Sequence, residues 1–172
     1  AQALAAQNFL PPDKMVIGFA PVVVNTGAEL VLFDTGNGVA RRPDAGRLAS
    51  LLATAGFQPE QIDVVVLSHF HPDHVGGLIE NGQPLLPNAR YVTAAAEYDF
   101  WSPQERLSGP TERVATLVQA NVVPLAESDP RGTGLTAGTG YAGGGLTMEG
   151  PNRTDVRIMA IPEERGKRKE ER

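Results

Sequence analysis

All three histidines of this chain fall in one short run, His69-Phe70-His71-Pro72-Asp73-His74. Imidazole nitrogen and carboxylate oxygen are the donors that borderline divalent metals accept at about 2.0–2.2 Å. One residue separates His69 from His71, so both can point the same way from an extended turn, while Asp73 and His74 come from the next part of the loop. Phe70 and Pro72 stiffen the chain between the donors. A lone histidine here would read as a surface or helix-capping group. The set of four, His69, His71, Asp73 and His74, reads as metal ligands. With no Cys in the chain, thiolate ligands and disulfides are excluded, and a zinc or iron ion would rest on imidazole and carboxylate alone.

The elements around this run are those of a layered α/β (α+β) domain. Two Val-rich runs, 15–25 and 28–33, flank Thr26-Gly27 and predict a β-hairpin, the second strand ending on Asp34-Thr35-Gly36. Leu48, Leu51 and Leu52 lie at helical spacing within 45–55, after Pro43-Asp44 and before Gly56. Pro59-Glu60-Gln61 predicts a short turn, and the β-branched run 62–67 a strand covered on both faces, with His69 just past its end. Gly76-Gly77 breaks the chain again. A strand at 90–93, a helix at 94–101, a helix at 110–120 and a last strand at 122–125 follow. Beyond 127 the chain becomes Gly- and Thr-rich and ends in mixed charge. It reads as a disordered tail over 128–172 in which only 155–161 looks strand-like.

A length of 172 residues supports one hydrophobic core, and 41% hydrophobic with 20% charged residues is ordinary globular usage. The net charge of −5 argues against a nucleic-acid partner, since the basic cluster at Lys167, Arg168 and Lys169 is interleaved with Glu in the tail. The apolar stretch 15–24 is broken by Gly18 and Pro21, so no membrane span is expected. A small molecule is the expected partner, and the oligomeric state is open. A start at Ala1 fits a fragment, or a periplasmic or secreted protein after signal removal, and a cytoplasmic location fits as well.

The stretch Val66-Leu67-Ser68-His69-Phe70-His71-Pro72-Asp73-His74-Val75-Gly76-Gly77-Leu78 resembles the H-x-H-x-D-H signature of the metallo-β-lactamase superfamily, and Leu32-Phe33-Asp34-Thr35-Gly36 resembles the D-T-G strand end preceding it. Further similarity lies in Ala55 through Asp63, Pro87-Asn88-Ala89-Arg90-Tyr91 and Glu97-Tyr98-Asp99-Phe100-Trp101. Together these are most similar to the lactonase and methyl parathion hydrolase branch, over about residues 10–127. The resemblance implies the N-terminal half of an αββα sandwich in residues 1–127. It implies His69 and His71 on one metal, Asp73 and His74 on a second, and Asp34 bracing the loop from behind. Two zinc ions sharing a water would then attack an ester, lactone or phosphotriester through a metal-bound hydroxide, with Asp73 also orienting the nucleophile. Glyoxalase II-like thioester hydrolysis uses the same ligand run. Asp34 also suits a turn before Gly36, and Glu97 to Trp101 suit either a substrate mouth or rim packing.

Two departures from the family pattern matter. The family supplies further histidines after the first motif, and this chain has none to give. The composition break near Glu127 to Arg131 suggests truncation or a change of reading frame. Two ligands per metal predict weak binding and little or no turnover, which leaves a non-catalytic metal-binding fragment as the rival reading.

Overall fold

The computed structural model describes residues 2–11, 18–127, 135–138 and 157–160. After a short helix α1 (Gln2–Gln7), strands β1 (Val22–Asn25) and β2 (Leu30–Phe33) pair antiparallel, Val23 opposite Leu32. Their turn is built from local hydrogen bonds. Asn25 Oδ1 accepts from the Gly27 N–H at 2.8 Å, Thr26 Oγ1 accepts from the Glu29 N–H at 2.9 Å, and Gly27 takes φ of +85°, which glycine adopts at no steric cost.

Helix α2 (Leu48–Thr54) carries the chain to β3 (Val64–Val66), which lies parallel to β2. Leu48 and Leu52, one turn apart, are buried under the sheet. The predicted turn at 59–61 is a single turn of 3-10 helix, Pro59–Gln61. Asp63 fixes the register at the start of β3. Its carboxylate accepts from the Leu30 N–H at 2.8 Å and its carbonyl from the Arg90 N–H at 3.0 Å.

From β3 the chain passes through the short helix α3 (Pro72–Val75) and a small hairpin, β4 (Ile79–Glu80) with β5 (Gln83–Pro84), into β6 (Arg90–Ala94). Strand β6 is parallel to β3, with Val65 opposite Tyr91. Helices α4 (Ala95–Trp101), α5 (Glu112–Asn121) and α6 (Val123–Glu127) follow. The last of these corrects the sequence reading, which placed a strand at 122–125. Val122 and Val123 suit either structure, but Pro124 lies in the first turn, where a missing N–H costs nothing, and burial of Val122 and Leu125 is met by helical spacing.

Two strands lie past residue 127. β7 (Leu135–Gly138) runs parallel to β6, and β8 (Arg157–Ala160) antiparallel to β1, within the segment 155–161 read as strand-like. The order across the described sheet is β7-β6-β3-β2-β1-β8. Leu135–Gly138 is therefore strand, within a segment read as coil, and the remainder of the predicted tail lies outside the described residues.

The strands alternate inward and outward with period two. Val23, Leu32, Val65 and Tyr91 face the helices and form one cluster with Leu48, Leu52, Phe70, Val75 and Val118. Val24, Val31 and Val64 form a second cluster on the opposite face. Both faces of the sheet's centre are therefore buried, as the β-branched run predicted for β3. Tyr91 is the largest side chain enclosed; burial pushes its phenol pKa up, and its O–H donates to the Leu86 carbonyl at 2.9 Å.

Candidate metal centre

β3 ends at Val66, at the C-terminal edge of the parallel strands, where open α/β sheets place their ligands. Past β3 the chain bends at Ser68 and again at His71. Phe70 is fully buried in the core while His69 and His71 lie on the other side, their ring centroids 4.7 Å apart. Pro72 then starts α3. A residue before proline is driven to extended backbone, as His71 is at φ −68° and ψ 155°, and proline's fixed φ suits the first helical position. This turn swings Asp73 and His74 back toward the first pair: the His69 and His74 rings are 3.8 Å apart.

The donor atoms fall in two pairs. His69 Nε2 lies 3.0 Å from His71 Nδ1, and His74 Nε2 lies 3.3 Å from Asp73 Oδ2. Two adjacent ligands on a tetrahedral ion at about 2.0–2.1 Å are separated by about 3.3 Å, so each pair is spaced within a few tenths of an ångström of what one ion needs. Among the described residues no group of three or more His, Asp or Glu side chains gathers as a single cage. In donor chemistry the residues present suit divalent ions, to which each pair would contribute two protein ligands. Burial, and then the neighbouring His74 and His71, hold the His69 imidazole below its usual pKa, while Asp34 and Glu97 offset this in part. A neutral ring is the form with a lone pair to give.

Behind these donors stands the loop after β2. Asp34 takes φ of +58°, a left-handed conformation that Asp tolerates better than most residues, and its N–H donates to the Val66 carbonyl at 2.9 Å. Its carboxylate accepts from the Ser68 N–H and Oγ, both at 2.8 Å at their shortest, and meets His74 Nδ1 at 2.8 Å. A proton on Nδ1 donated to Asp34 leaves Nε2 as the free donor atom. Ser68 Oγ also lies 3.1 Å from His69 Nδ1 and 3.2 Å from His74 Nδ1.

The sequence reading quoted Thr35, Gly76, Gly77 and Glu97 without giving them a bracing role, and it did not single out Asn121. Thr35 donates both its N–H and its Oγ–H to the His74 carbonyl, at 2.8 and 2.9 Å. Asn121, at the end of α5, donates from Nδ2 to the Val75 carbonyl at 3.1 Å. Gly76 and Gly77 let the two loops touch, because a Cβ on either would run into the Asn37 or Thr35 carbonyl oxygen. Glu97 accepts from the Phe70 N–H at 2.7 Å and from Trp101 Nε1 at 2.9 Å, so it pins the loop between the two histidines. Trp101 stands edge-on to His71 at 6.3 Å, Tyr98 packs against the core, and Phe100 is exposed beneath the Arg106 guanidinium. Two cavities, of about 250 and 700 Å³, border Asp73; Asp34 and His74 line the smaller.

Comparison with known proteins specifies the class to which this layered α/β fold and loop belong. The family model of the metallo-beta-lactamase superfamily matches residues 20–157. The chain belongs to this superfamily. The match runs past residue 127, where the resemblance read from the sequence stopped. An atrochrysone carboxyl ACP thioesterase of Aspergillus fumigatus is 34% identical over 88 residues, covering 51% of this chain and 26% of that protein. Mouse metallo-beta-lactamase domain-containing protein 1 is 38% identical over 74 residues, covering 43% and 24%. Among solved structures, the hydrolase AbOPH of the beta lactamase superfamily superposes with a TM-score of 0.61 at 28% identity, covering 72% of this chain and 45% of that one. AidC, a dizinc quorum-quenching lactonase in complex with its product, superposes with a TM-score of 0.58 at 25% identity, covering 70% and 47%. The chain thus spans about a quarter of the curated relatives and under half of these structures.

Proposed function

We propose that this chain carries the ligand loop of a zinc-dependent hydrolase of small-molecule esters, lactones or phosphotriesters. The observation that carries the reading is the pairing of donors: His69 with His71, and Asp73 with His74, each at the spacing of neighbouring ligands on one ion. His69 and His71 would hold one ion, Asp73 and His74 the second. When bound, the ions supply Lewis acidity that polarises the bond to be cleaved and acidifies the attacking water. The chain's own side chains do the positioning. Asp34 fixes the tautomer and tilt of His74, Glu97 holds the His69-Phe70-His71 backbone, and the Asp73 carboxylate borders both cavities, where it can orient water toward a bound substrate.

Thioester hydrolysis is the second reading, favoured by the similarity to the fungal acyl-carrier thioesterase. The test is a hydrolysis panel on the zinc-loaded chain: a neutral ester, a γ-lactone, a phosphotriester and an acyl thioester. Turnover of one class, abolished in Asp73→Asn, supports the corresponding reading. Zinc binding without any turnover supports a metal-binding fragment, as two protein ligands per ion would predict.

A further inference from the structure

The larger cavity has a character that ester hydrolysis alone does not call for. Its volume of about 700 Å³ is that of a small-molecule site. One side is Asp73; Ile79, Val114 and Leu117 give it an apolar wall, and two arginines, Arg41 and Arg113, are among its lining residues. Among the described residues, Asp73 is the only carboxylate in the lining and neither arginine has an ion-pair partner. Arg42, next to Arg41 in sequence, is by contrast spent on Glu80 at 2.9 Å. Asn37 lines the same cavity, is 6% exposed, and its Nδ2 has no hydrogen-bond partner among the described residues. An unmatched buried amide is costly in a wall that serves only as packing.

We infer that this cavity is a specificity subsite for an anionic group on an apolar chain, with Arg41 and Arg113 recognising a carboxylate while the aliphatic wall takes the methylenes. Guanidinium matches carboxylate in geometry and is weakly hydrated, so it suits a partly apolar pocket. The substrate class that follows is an ester or lactone with a free carboxylate at the far end of its acyl chain. This deepens the hydrolase reading and rests on it for the word substrate, but the binding itself needs no metal.

The experiment therefore uses the EDTA-treated chain and two probes of equal length, octanoate and octanol, followed by amide chemical shifts and titration calorimetry. Octanoate is expected to bind at least about tenfold more tightly than octanol and to shift amides near Arg41, Leu117 and Asp73. Arg41→Gln and Arg113→Gln should each weaken octanoate about three- to tenfold and leave octanol unchanged, with Arg113→Lys retaining part of the effect. Both arginines are exposed, and circular dichroism checks that the variants stay folded. Equal affinity for the two probes, or an unchanged preference in the double variant, overturns the inference. Turnover of neutral esters by the zinc-loaded chain would survive that result, so the two failures are distinguishable.

Discussion

Asp34 Oδ2 and His74 Nδ1 lie 2.8 Å apart although forty positions separate them in the chain. The contact joins the end of β2 to the first turn of α3 and couples the ligand loop to the parallel part of the sheet. Removing the carboxylate leaves His74 free to rotate about its ring and Ser68 without its acceptor. Asp34→Ala should lower zinc affinity about 10- to 100-fold while the far-ultraviolet circular dichroism stays close to that of the parent chain. Unchanged zinc affinity would mean that His74 is not oriented by this contact.

Glu97 joins two donors from different elements, the Phe70 N–H and the Trp101 indole N–H. Glu97→Ala strands both, and should cost about 1–3 kcal/mol in urea unfolding, with the Trp101 fluorescence changing in the folded baseline. Glu97→Gln keeps one acceptor oxygen and should cost less than the alanine variant.

Gly77 admits no side chain, since its Cβ position is taken by the Thr35 carbonyl oxygen. Gly77→Ala must push the two loops apart and should destabilise by about 1–3 kcal/mol, with a loss of zinc affinity beyond that of a distant control such as Gly82→Ala. Gly82 has a positive φ of +75° and open space around it, whereas Gly77 is crowded without a positive φ, so the pair sets crowding against backbone strain.

Glu29 and Arg90 form a two-pronged contact at 2.7 and 3.3 Å across the edge of the sheet, and the arginine holds the Glu29 carboxyl below its ordinary value of 4.5. A carboxylate with a depressed folded-state pKa adds stability that is full above 4.5 and is lost as pH falls through the folded pKa. Both side chains are more than a third exposed, so solvent screening keeps the contribution at about 0.2–1 kcal/mol. Urea midpoints of Glu29→Gln should therefore fall slightly below those of the parent at pH 7 and converge with them near pH 3 or in high salt.

The parts of this fold legible in the sequence are those with short-range causes. Asn25, Thr26 and Gly27 announce their turn, Leu48 and Leu52 their buried helical face, and the run before His69 its place at the centre of the sheet. The gathering of His69, His71, Asp73 and His74 was legible because three rare side chains crowd into one loop. The braces were not, because their partners are distant: Glu97 meets Phe70 across 27 positions, and Asn121 meets Val75 across 46. The segment 122–125 misled because valine suits a strand wherever a neighbouring strand exists, and here none flanks it among the described residues. Leu135–Gly138 misled in the other direction: its Gly and Thr content reads as coil, and parallel pairing with β6 makes it strand.

Calorimetric titration of zinc into the EDTA-treated chain tests the central claim most directly. Saturable binding is expected, weakened in His69→Asn and in Asp73→Asn and absent when His69, His71, Asp73 and His74 are replaced together. No heat of binding, or the same isotherm from the fourfold variant, would contradict it.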